Sequence, residues 1–173
     1  MSAATLSRFE SALKELDVTV SRVGREEFRA HVEEVVRPHA VGVDLTETFD
    51  DPALSLEETS VEVDPAPATL REAKTGVTGA TLGIADYGSV VLTATDRASE
   101  LASLFVERHV AVIRAEDVEA DMASAVDALG IQLRETGGSA VIATGPSSTA
   151  DMGALVKGAH GPREVHVVVV EEK

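Results

Sequence analysis

The chain has 173 residues, 44% of them hydrophobic, which suits one compact domain with a single substantial core and leaves no apolar run long enough to span a bilayer. Thirty acidic residues against fifteen basic ones give a net charge of −15, a field that repels phosphate backbones and argues against nucleic-acid binding. Cys is absent, which excludes disulfides, thiol catalysis and any iron–sulfur cluster held by this chain's own thiolates.

Leu6, Phe9, Leu13 and Leu16 recur at helical spacing, so the first segment is predicted to be an amphipathic helix. Its charges and the absence of a secretory layout in Met1–Leu16 make the expected location cytoplasmic. Val18–Val23 alternates like a short strand. Phe28, Val32, Val35 and Val36 mark a second helix that Pro38 ends, and Ala40–Asp44 is a candidate second strand. Asp50–Pro67, rich in acids and prolines, reads as an ordered surface connection rather than a linker between domains.

A short helix is expected around Thr69–Lys74. Val77–Thr93 carries two β-prone arms around the turn-like "ADYGS", predicting a hairpin or a bent strand pair. Ser99–Glu107 is predicted to be helical and His109–Arg114 a buried strand. Val118, Met122, Val126 and Leu129 share one helical face. Ser139–Thr144 is the next predicted strand, Ala150–Val156 the next helix, and Arg163–Glu171 a closing strand. Continuous apolar strands alternating with helices imply an α/β domain, with a mainly parallel sheet covered by helices on both faces.

The charge has a second implication. Lys occurs only at Lys14, Lys74, Lys157 and Lys173, aromatics are 3%, and the acids are spread over the whole length. These features resemble proteins of salt-in halophiles, against the plainer reading of an acidic mesophile protein. The halophile reading expects structure to be lost as salt is removed.

Three segments could carry chemistry. "TGPSSTADM" (Thr144–Met152) follows an apolar strand and precedes the expected helix, beside the carboxyl end of a strand where α/β sheets bind ligands. Gly145 would admit a close approach, Ser147, Ser148 and Thr149 would offer hydroxyls, free N–H groups of the new helix would face an anion, and Asp151 would grip a ligand hydroxyl. The alternative is a capped helix start, with Ser148 or Thr149 as the cap and Asp151 favouring the helix dipole.

The segment "GVTGATLGIADYGSVVL" places Gly76, Gly79, Gly83 and Gly88 around Asp86, suggesting close backbone approaches and a tight turn. Its spacing is not a dinucleotide fingerprint. Asp86 is a candidate general base or ligand acceptor, or else a turn residue. In "KGAHGPREV", His160 could move protons and Arg163 could clamp a carboxylate, unless the cations merely complement a helix end closed by Gly158. No metal site and no Ser-His-Asp order emerges from the spacing.

Taken in order, "GVTGATLGIADYGSVVL", "RHVAVIRAEDV", "TGPSSTADM" and "VKGAHGPREVHVVVV" resemble the lactate utilization protein C family (LutC, the LUD domain), over roughly Ala73 to the C-terminus. Residues 1–72 share only its helical layout, within a single LUD-type domain over 1–173. The resemblance implies a fold like the NagB/RpiA/CoA-transferase group. It also implies a role in oxidation of L-lactate to pyruvate, with clusters on iron–sulfur partner proteins and no cofactor in this chain. Relatives commonly have Glu-Thr-Gly where this chain has Asp86-Tyr87-Gly88, and Arg97 stands in for a family arginine.

The expected function is therefore that of an accessory protein of lactate utilization. The alternative is a stand-alone enzyme or sensor binding a small carboxylate, a sugar phosphate or an acyl-CoA at the strand-end loops. No Glu lies at a strand end in glycine-rich surroundings, which disfavours a glutamyl-thioester mechanism.

Overall fold

The structure is a computed structural model that describes residues 2–94, 99–151, 154–158 and 160–172. The first helix, α1 (Ala3–Glu15), starts where the Ser2 side chain accepts a hydrogen bond from the Thr5 N–H, and it buries Leu6, Phe9 and Leu13. Strand β1 (Thr19–Gly24), α2 (Phe28–Val35) and β2 (Ala40–Gly42) follow as the spacing predicts. The irregular region holds α3 (Leu45–Phe49), a 3-10 turn at Pro52–Leu54 and a two-residue β3 (Glu62–Val63), then α4 (Pro67–Glu72). Asp44 and Asp51 cap the first two of these short pieces, accepting from Thr46 N–H and Ala53 N–H.

Then come β4 (Thr75–Gly79), β5 (Leu82–Ile84), β6 (Ser89–Thr93), α5 (Ser99–Leu104), β7 (Arg108–Arg114) and β8 (Val118–Glu119). The chain continues through α6 (Met122–Thr136), β9 (Ala140–Thr144), β10 (Ser148–Asp151), β11 (Ala154–Lys157) and β12 (Glu164–Glu171).

Six strands form one sheet in the order β1-β12-β7-β4-β2-β3, every pair parallel. Its central strands are apolar without alternation because both faces are covered. Val77, Val110, Val112, Val168 and Val170 pack with Phe28, Val32, Leu45 and Phe49 from α2 and α3 on one side. Ala111, Ile113, Val165, Val167 and Val169 pack on the other side with Leu6, Phe9 and Leu13 of α1 and with Val90 and Leu92 of β6. That second face is thus covered by one helix and by a smaller sheet, β8-β5-β6-β9, rather than by helices alone. Helix α6 lies on the outer side of the small sheet through Ala125, with Met122 and Leu129.

Three sequence expectations change. Strand β9 does not join the parallel sheet. It pairs antiparallel with β6 at the edge of the small sheet, leaving Val141 and Ile142 exposed, so its unbroken apolar run does not signal burial on both faces. Val118 belongs to a two-residue strand ahead of α6 rather than to the helix.

Most important, the described residues of Ala150–Val156 are strand rather than helix. Ser148–Asp151 and Ala154–Lys157 pair as an antiparallel hairpin, and the Gly158 N–H donates to the Ser147 carbonyl at 2.9 Å just beyond the paired strands. Seven residues are too few to hold a helix without packing, whereas a ladder satisfies the same backbone groups locally.

Candidate functional site

Gly145 adopts φ +68 beside Leu16 at the C-terminal end of α1. This left-handed bend turns the chain out of β9 and toward the segment 160–162. The Ser147 N–H donates to the Pro162 carbonyl at 2.9 Å, and Lys157 reaches Asp17 at 3.0 Å, so the hairpin is tied both to the start of β12 and to the end of α1. The bend's main-chain donor at Ser147 is therefore spent inside the protein. With no helix following, the expected array of free N–H groups is missing among the described residues.

The bend nevertheless borders a cavity of about 450 Å³. Gly145, Pro146, Ser147 and Ser148 form one rim, and His160, Gly161 and Pro162 the other. Leu13 of α1, Val90 and Leu92 of β6 and Val165 and Val167 of β12 wall it, with His109 at the start of β7. These positions lie near the amino ends of the parallel strands, between the two sheets. The expected place was beyond the carboxyl ends, where doubly wound folds bind ligands. The reason is topological: β9, which carries the bend, runs in the other sheet.

His109 is 2% exposed and its Nε2 lies 2.8 Å from Thr78 Oγ1. Burial pushes its pKa down to about 4, so the ring is neutral near pH 7. From the sequence, His109 is only the first residue of the predicted buried strand His109–Arg114 and not a site residue. Its signal was a histidine opening an apolar strand, which burial alone would also explain.

The remaining expected site residues divide. His160 is exposed on the rim. Arg163 is not in this cavity: it lines an adjoining one with Glu107, His160 and Gly161, and its side chain packs over Gly158. There the Lys74 ammonium first, and Arg163 further off, hold the Glu107 carboxyl below its usual range.

Asp86 is also outside the cavity. It lies on the surface at the β5–β6 turn, 3.0 Å from Arg8, because Gly88 at φ +59 packs the turn against the backbone of Ala12 and Leu13. The side chains of Thr149 and Asp151, together with Arg97, lie outside the described residues.

A smaller crevice of about 190 Å³ does open at the carboxyl ends of β12 and β7, with Arg25 and Arg114 in its lining. Both cations are engaged: Arg25 pairs with Asp51 at 2.5 Å, and Arg114 donates to the Phe49 carbonyl. No group of three or more metal-ligating side chains occurs among the described residues.

Residues 6–170 of the chain match the family model of the LUD domain. The chain belongs to the LUD domain family. The match starts at residue 6, well before the motif-bearing part that begins near Ala73.

Lactate utilization protein C of Deinococcus radiodurans is 31% identical over 132 residues, covering 75% of this chain and 56% of that protein. The protein of the same name from Bacillus velezensis is 30% identical over 134 residues, with the same shares. This LUD chain thus spans little more than half the length of those relatives. A crystal structure of a DUF162 family protein from Deinococcus radiodurans superposes with a TM-score of 0.73 over 98% of this chain and 99% of that one, at 22% identity, a likeness of fold. Among the described residues no helix of this LUD domain is long and apolar enough to cross a membrane.

Proposed function

We propose that this LUD chain is an accessory protein of lactate utilization, acting with iron–sulfur partner proteins in the oxidation of L-lactate to pyruvate. The observation that carries this reading is the alignment of three-quarters of the chain with two proteins named lactate utilization protein C. The chemistry is compatible. Oxidation of lactate releases two electrons and two protons, and a chain without Cys supplies no thiolates to hold a cluster that would accept those electrons. Electron transfer through thiolate-held clusters would then fall to partners.

Deleting the gene in its own host is expected to abolish growth on L-lactate, with growth on pyruvate unaffected. A tagged copy should restore growth and co-purify with Cys-rich proteins. Unimpaired growth on L-lactate in the deletion strain would reject the reading.

A second reading, a stand-alone enzyme or sensor, is favoured by one observation: Gly145, Ser147, Ser148 and His160 border a single cavity of ligand size, with Arg163 just across Gly161. The ligands expected from sequence are a small carboxylate, a sugar phosphate or an acyl-CoA. In this reading Arg163→Ala and Ser148→Ala weaken binding of L-lactate or inorganic phosphate in calorimetry without unfolding the chain. Unchanged heats would set those ligands aside.

A further inference from the structure

We propose that the cavity between the two sheets takes an uncharged, predominantly apolar small molecule bearing a carbonyl or hydroxyl group, rather than an anion. This inference goes beyond the lactate reading and rests on the cavity alone.

The volume, about 450 Å³, falls in the range of small-molecule sites. Its walls are aliphatic: Leu92, Val141, Val165 and Val167 face it from three strands of two sheets. Among the described lining residues there is no Lys, Arg, Asp or Glu, and the titratable ones are His109 and His160. Placing an unpaired carboxylate or phosphate against such walls removes its hydration without supplying a counter-charge from the described lining, which is strongly unfavourable. The net charge of −15 raises that cost further for an anion.

The described cations nearby point away from it. Arg163 faces the adjoining cavity beside Glu107, and Lys157 is held by Asp17. The N–H of Ser147, which could have served an oxyanion, donates to Pro162 instead.

What the cavity does offer suits a neutral polar group on an apolar body. The buried His109 is a neutral imidazole, with one donor and one acceptor nitrogen, and its Nε2 is held by Thr78. A carbonyl or hydroxyl reaching that ring, with the rest of the molecule on the valines, satisfies both surfaces. The Ser147 and Ser148 hydroxyls stand at the rim, where a second polar group would meet water. Leu104, 42% exposed, lines both this cavity and the adjoining one and extends the apolar surface to the outside.

Two probes with one ring system separate neutral from anionic recognition: 2-naphthol, uncharged at pH 7, and 2-naphthoate. The chain has no Trp and one Tyr, so naphthol fluorescence is read over a low background. The expected result is saturable one-to-one binding of 2-naphthol, at least tenfold tighter than 2-naphthoate. Val141→Lys, at a partly exposed wall position, should weaken it at least tenfold, and Ser148→Phe, at the exposed rim, should do the same by closing the mouth.

Circular dichroism checks that both variants fold, and either one suffices. Equal or tighter binding of 2-naphthoate, no binding of 2-naphthol, or affinity unchanged in a folded variant would overturn the proposal. None of these outcomes depends on growth on lactate, so the two readings fail separately.

Discussion

Thr78 Oγ1 and His109 Nε2 lie 2.8 Å apart across two neighbouring parallel strands, with Gly76 rather than Thr78 directly opposite His109 in the register. The diagonal contact supplies the buried imidazole with a hydroxyl partner, and burial keeps the ring uncharged. A second histidine is held in a related way: His166, whose Nε2 sits 2.8 Å from Ser21 Oγ, is lowered to about 4 by burial first and by the Arg108 guanidinium next.

Both folded pKa values lie below the 6.5 of a free histidine, so the stability these rings contribute is complete above about pH 6.5 and is lost as pH falls toward 4. For fully buried His109 the loss is on the order of 3 kcal/mol. Urea midpoints at pH 7.5 and 4.5 should show this fall, with a shallower one in His109→Gln. A midpoint unchanged over that range in the wild type would contradict the buried neutral rings.

Asp117 acts in the opposite sense. Burial raises its pKa from 3.8 to about 6, with the Arg114 cation offsetting part of the effect. A raised folded value favours the protonated form, so this group's contribution is present below pH 3.8 and lost as pH rises through 6. Asp117→Asn should therefore stabilise the protein at pH 7. Because the side chain is only half-buried, the gain is on the order of 1 kcal/mol. A thermal scan at pH 7 showing a lower midpoint for Asp117→Asn would exclude this assignment.

Two glycine replacements should move stability in opposite directions. A Cβ at Gly76 would lie 1.7 Å from the Ala102 carbonyl oxygen, backbone that cannot yield without lifting α5 off β4, so Gly76→Ala should cost on the order of 3 kcal/mol. A Cβ at Gly130, inside α6, meets only the Arg134 side chain at 3.6 Å, and Gly130→Ala should stabilise by roughly 0.5–1 kcal/mol. Chemical denaturation of the two variants side by side tests the packing directly.

The acidic surface makes salt the remaining variable. With a net charge of −15, self-repulsion is screened over about 10 Å at 0.1 M salt and about 3 Å at 1 M. If the chain is halophilic, its far-ultraviolet circular dichroism weakens progressively on dialysis from molar to millimolar KCl. Identical spectra at both ends would mark it as an ordinary acidic protein.

The glycine-rich segment shows how far the linear pattern reaches. Close backbone approach at Gly76 and a tight turn at Gly88 follow from the residues themselves, since only Gly leaves room for the Ala102 carbonyl and adopts φ +59 against α1. The site was less legible. The segments 145–148 and 160–162 do share a cavity, but Asp86 and Arg163 face elsewhere, and His109 was not anticipated as part of it.

Read alone, the chain determined the α/β class, most of its elements and their family, because apolar periodicity and local turn chemistry are properties of neighbouring residues. Which sheet each strand joins was decided only in three dimensions. "AVIAT" and "EVHVVVVE" are both unbroken β-capable runs. One is an exposed antiparallel edge and the other a buried parallel strand, since pairing depends on contacts with β6 or with β1 and β7, far away along the chain. The same holds for the pairing of β10 with β11. A seven-residue segment has no strong conformational preference of its own, so hydrogen bonds contributed by Ser147 and Pro162, and the ion pair with Asp17, decided its form.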